Sequence, residues 1–461
     1  MPEVRHEARA EVQPLTMRTR PLIFCALLLG CATTSPTGAV RDTSALVQSR
    51  TGQTIHWSAD QDAEADARKR VSQLLAQDLT LDSAIRVSLL ANPKLQATIE
   101  ELGIAQADWV QAGLLKNPTL GATYDAPLDS GGGTSFQFSF VTELLQLLTL
   151  GPRKNLARLG LEAVKYRVAS EVVHHIYHVK TAFFAAQAAQ QTFLMRQIVT
   201  TSAQAAVEMA RRQHEAGTIN DLDLANEEAL FAQVSTDFSR SRAGVTEARE
   251  HLNRAMGVWG NDAGWKLSGK LPELPAAEPS IAHLESKAIE NSYVLAAAHK
   301  DVEIVSYGLS LAKNTRWIGG IDAGIDFHRE TEGVRLLGPT ISVELPLFDQ
   351  RQAAVARIEA QLRQARRREA GLAIDIRSEV RELSARVAVA RNVVETYQRT
   401  LVPQREAIVA LSQQQYDAML LGVFQLLIAK QNAITTYREF IEALRDYWSL
   451  RAELEWRAGG N

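Results

Sequence analysis

From Leu161 to Ala216 the sequence contains neither glycine nor proline. As a single α-helix rising ~1.5 Å per residue, this stretch would span roughly 80 Å. No compact domain needs a helix of that length, so the chain is directed toward a coiled coil or a tube. The C-terminal region has the same tendency. Leu426, Ala433, Phe440, Tyr447 and Leu454 recur every seven residues, and Ala429, Thr436, Ala443 and Leu450 stand three further on. That is a heptad seam whose small residues let neighbouring helices approach closely. Apolar residues are 46% of the chain, enough to supply a core, and 50 Lys and Arg nearly balance 53 Asp and Glu. A general nucleic-acid binder would carry a basic surplus or stripe, so that class is excluded.

Four segments break the helical pattern. In TSFQFSFVTE (134–143), Phe136, Phe138 and Phe140 alternate with Gln137 and Ser139, which is the period of a strand with one apolar face. Ile321, Ala323, Ile325 and Phe327 alternate with Asp322, Gly324 and Asp326; Ile341, Val343 and Leu345 alternate with Ser342 and Glu344. Strands are expected at about 119–127, 134–143, 318–327 and 336–346, with polar loops at 129–133 and 328–333. Each strand is close to the ~9–11 residues that cross a bilayer when tilted. Beyond the N-terminal leader there is no run of 18 apolar residues to form a spanning helix. Only helices and closed barrels satisfy the backbone in lipid, and even eight strands make a barrel filled by its own side chains. If these strands span a membrane, several copies of the chain must pool them.

The chain repeats itself. Residues 91–125 and 290–327 each run as a helix of small and apolar residues, then pass Asn117 or Asn314 into an alternating strand. FSFVTELLQLLTLGPRKNLARLGLEA and ISVELPLFDQRQAAVARIEA each carry a strand through a Leu-rich turn into a helix. HEAGTINDLDLANEEA (214–229) and YDAMLLGVFQLLIAKQ (416–431) align so that Leu222 and Leu224 fall 202 residues before Phe424 and Leu426. This is a tandem duplication, with a first repeat at 76–260, a linker at 261–280 containing Pro272, Pro275 and Pro279, and a second repeat at 281–461. Each half reads helix, strand, loop, strand, very long helix, short break, long helix.

MRTRPLIFCALLLGCATTS begins at Met17 with a basic stretch and an apolar stretch, the layout of a secretory signal. Residues 1–16 are polar and unpatterned, which points to Met17 as the true start and to a signal peptide within 1–30. Leu28-Leu29-Gly30-Cys31 resembles the bacterial lipobox, which implies lipidation of Cys31. Ala32 rather than Asp follows it, so the resemblance further implies sorting to the outer membrane. Residues 31–75 would be a lipidated N-terminal tether, flexible through the Ser, Thr and Gly of 32–60. Cys25 and Cys31 are the only cysteines, so no disulfide framework or Cys-based metal site exists in the remainder.

The duplicated layout, the paired strands, Asn117-Pro118, the Leu345–Asp349 LPLFD turn and the Gly-Thr…Asp-Leu break at 217–224 together resemble the TolC-type outer-membrane efflux channels, particularly their lipidated branch, over nearly all of residues 75–458. The resemblance implies a mainly α fold with membrane β-strands: a long coiled-coil α-helical barrel, and four strands per chain contributing to a trimeric twelve-stranded transmembrane β-barrel. It implies a homotrimer in the outer membrane of a Gram-negative bacterium, lipid-anchored and extending into the periplasm. A periplasmic adaptor and an inner-membrane pump would be its partners. Phe136, Phe138, Phe140, Ile321, Ile325 and Phe327 would face lipid. Gly217, Thr218, Ile219 and Asn220, with Met419, Leu420, Leu421, Gly422 and Val423, would form the periplasmic tips that touch the adaptor. Met419 stands where a glycine is expected, and Gly422 is expected to serve the break instead. Asp221, Asp223 and Gln425 would surround the aperture, where a ring of carboxylates favours cations. Gln425, followed by Ile428, leaves the second-half ring neutral. Asp221 and Asp223 equally suit a helix N-terminus.

A conduit needs no catalytic group, and neither a phosphate-binding G-x-x-x-x-G-K-[ST] loop nor a G-x-S-x-G elbow is present. His174, His175 and His178 include an i, i+4 pair, but zinc sites usually need three or four ligands, and exposed helix histidines are the simpler reading. No metal, cofactor or nucleic acid is expected. RQARRRE (363–369) reads as a solvated helix face. The sequence thus predicts an efflux conduit for heavy-metal ions or drugs rather than an enzyme. A lipid-anchored periplasmic adaptor or scaffold is the alternative, and the duplicated strands argue against it.

Overall fold

The computed structural model describes residues 34–128, 133–278 and 283–459. The signal segment, Cys31, most of the first strand loop and Pro279 lie outside the described residues. Ser35–Asn461 pack as one unit.

The elements in chain order are α1 (Thr37–Thr51), α2 (Gln61–Leu75), α3 (Leu81–Ala91), α4 (Pro93–Ala112), β1 (Thr119–Asp125), β2 (Ser135–Glu143), α5 (Leu145–Glu215), α6 (Asp221–Met256), α7 (Leu284–Asn291), α8 (Tyr293–Thr315), β3 (Ile321–Arg329), β4 (Arg335–Val343), α9 (Gln352–Thr396), α10 (Val402–Asp417) and α11 (Val423–Ala458). The duplication is visible in this order, α3-α4-β1-β2-α5-α6 against α7-α8-β3-β4-α9/α10-α11. The final helices of the two halves end 202 residues apart, at Met256 and Ala458, and each is closed by a left-handed glycine, Gly257 (φ 77) and Gly459 (φ 90). A side chain could not replace either one. A Cβ on Gly257 would lie 2.5 Å from Asn92 Cα, and one on Gly459 would lie 2.5 Å from Asn291 Cβ.

α5 has 71 residues, about 105 Å of helix. It starts earlier than the glycine- and proline-free stretch because Gly151, Pro152 and Gly160 are all absorbed. Pro152 sits near the N-terminus, where its missing N–H removes only one hydrogen bond. The second-half equivalent is not continuous. Between α9 and α10, Tyr397–Leu401 form a π-helical turn in which the Val402 N–H reaches Tyr397 O, directly ahead of Pro403. A proline clashes with the carbonyl four residues earlier, and a π-turn is a common way to absorb the distortion. On α11 the heptad positions Leu426, Ala429, Ala433, Thr436, Tyr447 and Leu454 are buried. Phe440, Ala443 and Leu450 pack partly against the main core.

The N-terminal region is not a flexible tether. Residues 37–51 form α1, with Thr43 and Val47 fully buried. Asp42 pairs with Lys165 of α5 at 2.9 Å, the Tyr293 hydroxyl of α8 donates to Leu46 O at 2.5 Å, and the Arg50 guanidinium lies 3.9 Å from the Tyr293 ring centre. α2 adds Ala67 and Val71 to the buried set and is capped by the Asp60 carboxylate accepting from the Ala63 N–H at 2.8 Å. Two helices, each packed along one side, therefore stand within the 31–75 segment expected to be a tether.

The strands differ from expectation at their ends. β3 starts at Ile321, after Gly319 and Gly320, and continues through His328 to Arg329; β4 runs Arg335–Val343. Leu345 and Leu347 lie beyond the strand and are exposed. The β3–β4 turn is correspondingly short, closed by the Glu330 N–H donating to Val334 O at 2.9 Å, with Gly333 at φ 87.

Candidate functional site

The four strands form one antiparallel sheet in the order β1-β2-β3-β4, so β2 and β3 join the two repeats. Residues directly opposite in an antiparallel pair share a face. Phe136, Phe138 and Phe140 oppose Tyr124, Ala122 and Leu120 on one side, and Arg329, Phe327 and Ile325 on the other. Ile321, Ala323, Ile325 and Phe327 in turn oppose Val343, Ile341, Pro339 and Leu337. The six residues expected to face lipid therefore lie on one face, and that face is apolar across all four strands apart from Thr142 at one end and Arg329 and Arg335 at the other. The opposite face carries Thr123, Gln137 and His328 in one row and Ser139 beside Asp326 in the next. On that face the Thr340 hydroxyl donates to Asp326 and Ser135 donates to Asp125 at 3.0 Å. β1 and β4 are the two edges of the sheet and have no neighbour on their outer sides among the described residues.

The hairpin tips lie between α5 and α6 and between α10 and α11. In the first, Gly217 adopts φ 74; its N–H donates to His214 O at 2.9 Å and the Thr218 N–H to Gln213 O at 2.9 Å. This pair of bonds is a Schellman motif, which requires a left-handed residue just past the helix end. The second tip repeats it 202 residues on. Met419 N–H donates to Tyr416 O and Leu420 N–H to Gln415 O, both at 2.9 Å. Met419 itself takes the left-handed conformation, at φ 57. Gly422 does not serve the break. It has φ −73 and occupies the N-cap position of α11, the counterpart of Asn220 at the start of α6. Asn220 caps with its side chain, accepting from the Asp223 N–H at 2.8 Å, whereas Gly422 offers no side-chain cap. Gly217, Thr218, Asn220, Met419, Leu420 and Gly422 are exposed, and Ile219 and Leu421 are half-buried. Val423 is not a tip residue. It begins α11 and is buried against Ala203, Leu230, Val234 and Leu427.

The aperture residues separate by environment. Neither aspartate is the cap, since Asn220 holds that place. Asp221 and Asp223 stand in the first turn of α6, where the helix dipole favours a negative charge. Asp221 is exposed and pairs with His214 Nε2 at 2.7 Å. Asp223 is half-buried and lines a 170 Å³ cavity between the two tips with Glu227, Tyr416 and Lys430. Its counterpart Gln425 is exposed. Glu227, Tyr416 and Lys430 were not singled out by the sequence reading. The signal for Glu227 was its place at i, i+3, i+7 with Leu230 and Val234, a carboxylate in an otherwise apolar stripe.

The histidines are not simply exposed. His174 stacks on Trp456 of α11 with ring centroids 4.4 Å apart, and Tyr177 stacks on the same indole at 5.0 Å. His175 points inward, and its Nε2 is buried without a partner. Burial first, and then the neighbouring His178 and His174, depress its pKa to about 4. No group of three or more potential metal ligands occurs among the described residues. No described helix is long and apolar enough to cross a membrane.

Comparison with known proteins agrees with this geometry. Residues 84–258 match the family model described as outer membrane efflux protein. The chain is 23% identical over 339 residues to the cobalt-zinc-cadmium resistance protein CzcC of Cupriavidus metallidurans, covering 72% of this chain and 78% of that protein. A membrane protein from Pseudomonas aeruginosa superposes with a TM-score of 0.72 at 17% identity, covering 82% of this chain and 92% of the other. CusC, solved in a study of its folding and transmembrane channel formation, superposes with a TM-score of 0.70 at 14% identity, covering 83% of this chain and 93% of the other. These two share the fold. With the duplicated helical layout and the two-faced four-stranded sheet, the chain has the fold of these channels and is similar, over residues 84–258, to the outer membrane efflux protein family.

Proposed function

We propose that this chain is the outer-membrane conduit of a three-part exporter of heavy-metal ions, working as a homotrimer whose three sheets close into one twelve-stranded barrel. The observation that carries this reading is the apolar face running unbroken over the middle of four strands and ending at two unpaired edges. Such a sheet is stable in lipid only when its edges are paired, and four strands cannot enclose a pore. The apolar face, with Phe136, Phe138 and Phe140 at its centre, meets lipid, and the Gln137–Asp326 side lines the lumen. Lipid on Cys31 anchors the chain. The exposed tips, Gly217–Asn220 and Met419–Gly422, meet a periplasmic adaptor coupled to an inner-membrane pump. Asp223 draws cations to the aperture, and the neutral Gln425 weakens that preference in the second half. Metal cargo is favoured by the resistance protein CzcC among the relatives.

The test is cargo accumulation in cells lacking the gene and in cells with it restored, each loaded with cobalt, zinc, cadmium or a fluorescent dye. Metal accumulation reversed by the restored gene supports the reading. Accumulation of dye alone reassigns the cargo to organic compounds. Unchanged content for all four, in a strain lacking other channels of this kind, overturns the conduit.

A further inference from the structure

Residues 53–59, between α1 and α2, are neither helix nor strand, yet side chains of three helices hold them. The Ile55 N–H donates to Ser44 Oγ of α1 at 3.1 Å, and Gln53 Nε2 donates to Asp82 of α3 at 2.9 Å. On α4, Gln96 donates to His56 O at 2.9 Å and accepts from the Ser58 N–H at 3.2 Å, while the Trp57 indole donates to Glu100 at 2.9 Å. The segment is thereby a fixed wall. With α2 and α3 it encloses a cavity of 570 Å³, inside the ~300–1,000 Å³ range of small-molecule sites.

The charge in this cavity has one sign. Arg70 of α2 and Arg86 of α3 line it, and no aspartate, glutamate or lysine does. Each arginine is steadied by an aspartate one turn earlier on its own helix. Asp66 lies 2.7 Å from Arg70 Nη2 and Asp82 lies 2.9 Å from Arg86 Nε. Exposed pairs of this kind are weak, and each engages one nitrogen of a guanidinium that carries five N–H donors. The other nitrogens of both forks have no partner among the described residues, and neither do the amides of Gln73 and Gln77, which line the same space. His56 stands on the wall with its Nε2 buried and unpartnered, a state that calls for an explanation. Leu74, Leu89 and Leu90 supply the apolar part of the lining.

We propose that this cavity binds short acidic peptides, with Arg70 and Arg86 holding the carboxylates and Gln73 and Gln77 pairing with the peptide amides. Planar guanidinium forks match carboxylates two bonds at a time, and clusters of arginine are a recurring means of capturing acidic motifs. A glutamine amide both donates and accepts, as a peptide group requires. The amide-rich lining favours a peptide over the phosphate of a lipid headgroup, which would use the arginines alone. The site does not rest on the conduit reading, because it is measured by equilibrium binding to the purified protein rather than by transport in cells.

The experiment uses the full-length protein in nanodiscs of uncharged net lipid, with empty nanodiscs as blank. N-acetyl-alanyl-glutamate, its neutral diamide and glycerol 3-phosphate are followed by equilibrium dialysis. The expected result is saturable binding of the dicarboxylate only. Arg70→Gln or Arg86→Gln should weaken it at least fivefold, Arg86→Lys should fall between, and Gln73→Leu should weaken it several-fold without touching a charge. Both arginines are exposed, so these variants keep the fold, which their helix content by circular dichroism verifies. Equal binding of the diamide, affinity indifferent to the arginine substitutions, or no saturable binding overturns the proposal. Glycerol 3-phosphate bound as tightly as the dicarboxylate also overturns it, and reassigns the cavity to phosphate headgroups.

Discussion

Met419 is the most strained residue of the tips. A left-handed conformation brings Cβ close to the following carbonyl and costs a non-glycine residue ~1–2 kcal/mol. Gly217 carries the same conformation in the first repeat without that cost, and nothing lies within 4 Å of where its Cβ would be. The two tips thus differ in backbone strain alone at this position, and the Met419 side chain is 94% exposed. Met419→Gly is expected to stabilise the second tip by about 0.5–1 kcal/mol, the relieved strain being partly offset by the greater freedom of glycine in the unfolded chain. Hydrogen exchange of the Met419 and Leu420 amides reads this locally and should slow several-fold; faster exchange would refute the strain. His175 gives a second residue-scale expectation. The unfolded chain binds a proton near pH 6.5, but the buried ring does so only near pH 4. Below pH 6.5 the unfolded state therefore holds more protons, and stability falls as pH drops through this interval, by at most about 3 kcal/mol. Denaturant midpoints measured from pH 7 to 4 should show that loss, and His175→Leu should flatten it.

Among the elements, the segment joining the repeats is less a linker than a strap. The Glu278 carboxylate accepts from Arg391 of α9 at 3.0 Å, from Arg451 of α11 at 3.2 Å and from the Tyr447 hydroxyl. Arg391 also donates to Pro275 O at 2.9 Å, and the Trp448 indole donates to Pro272 O at 2.8 Å. These groups are less than a quarter exposed, so removing the acid takes the acceptor from the Tyr447 phenol and leaves Arg391 and Arg451 with Glu395 and Glu455 alone. Glu278→Ala should cost about 2–3 kcal/mol, with Glu278→Gln in between, and raise exchange across residues 265–278. An effect below ~0.5 kcal/mol would mean that the strap is held by its backbone contacts alone. Burial and then the Glu278 bond push the Tyr447 phenol up to about 12. Its contribution is complete below pH 10 and is lost as pH rises from 10 to 12. The sequence announced elements whose signal is periodic and local: the long helices, the alternating strands and the 202-residue echo at Gly217–Leu224. It did not announce what is decided by partners distant in sequence. Pro272 and Pro275 read correctly as turns, but nothing local said that Glu278 would be gripped by residues more than 100 positions away. α1 was missed for the same reason. Its polar composition resembles a tether until Val47 and Thr43 are seen packed in the core, although Gly52 as C-cap and Asp60 as the next N-cap were local signs of helices there. Glu227 and Lys430 became visible as neighbours only when α6 and α11 were packed together.

At the scale of the whole molecule, the sheet cannot be the finished object. Each outward-facing N–H and C=O of β1 and β4 left unpaired in hydrocarbon costs several kcal/mol. Water does not remedy this, because the apolar face from Leu120 to Ile341 would then be exposed. Pairing β4 of one copy with β1 of the next would remove both penalties, and in the proposed homotrimer three copies close the ring. Cysteine pairing tests that junction directly, since the natural cysteines, Cys25 and Cys31, lie outside the strands. Thr123→Cys on β1 combined in turn with Leu336→Cys, Gly338→Cys, Thr340→Cys or Ser342→Cys on β4 keeps every introduced thiol on the polar face. One of the four pairings should fall in register within disulfide reach, since opposed Cβ atoms in a sheet stand ~4.5–5.5 Å apart. Oxidised membranes should then yield covalent dimers and trimers that reduction dissolves, while each single cysteine gives none. A cross-link confined to one chain would instead mean that the sheet closes on itself, and the shared barrel would have to be abandoned.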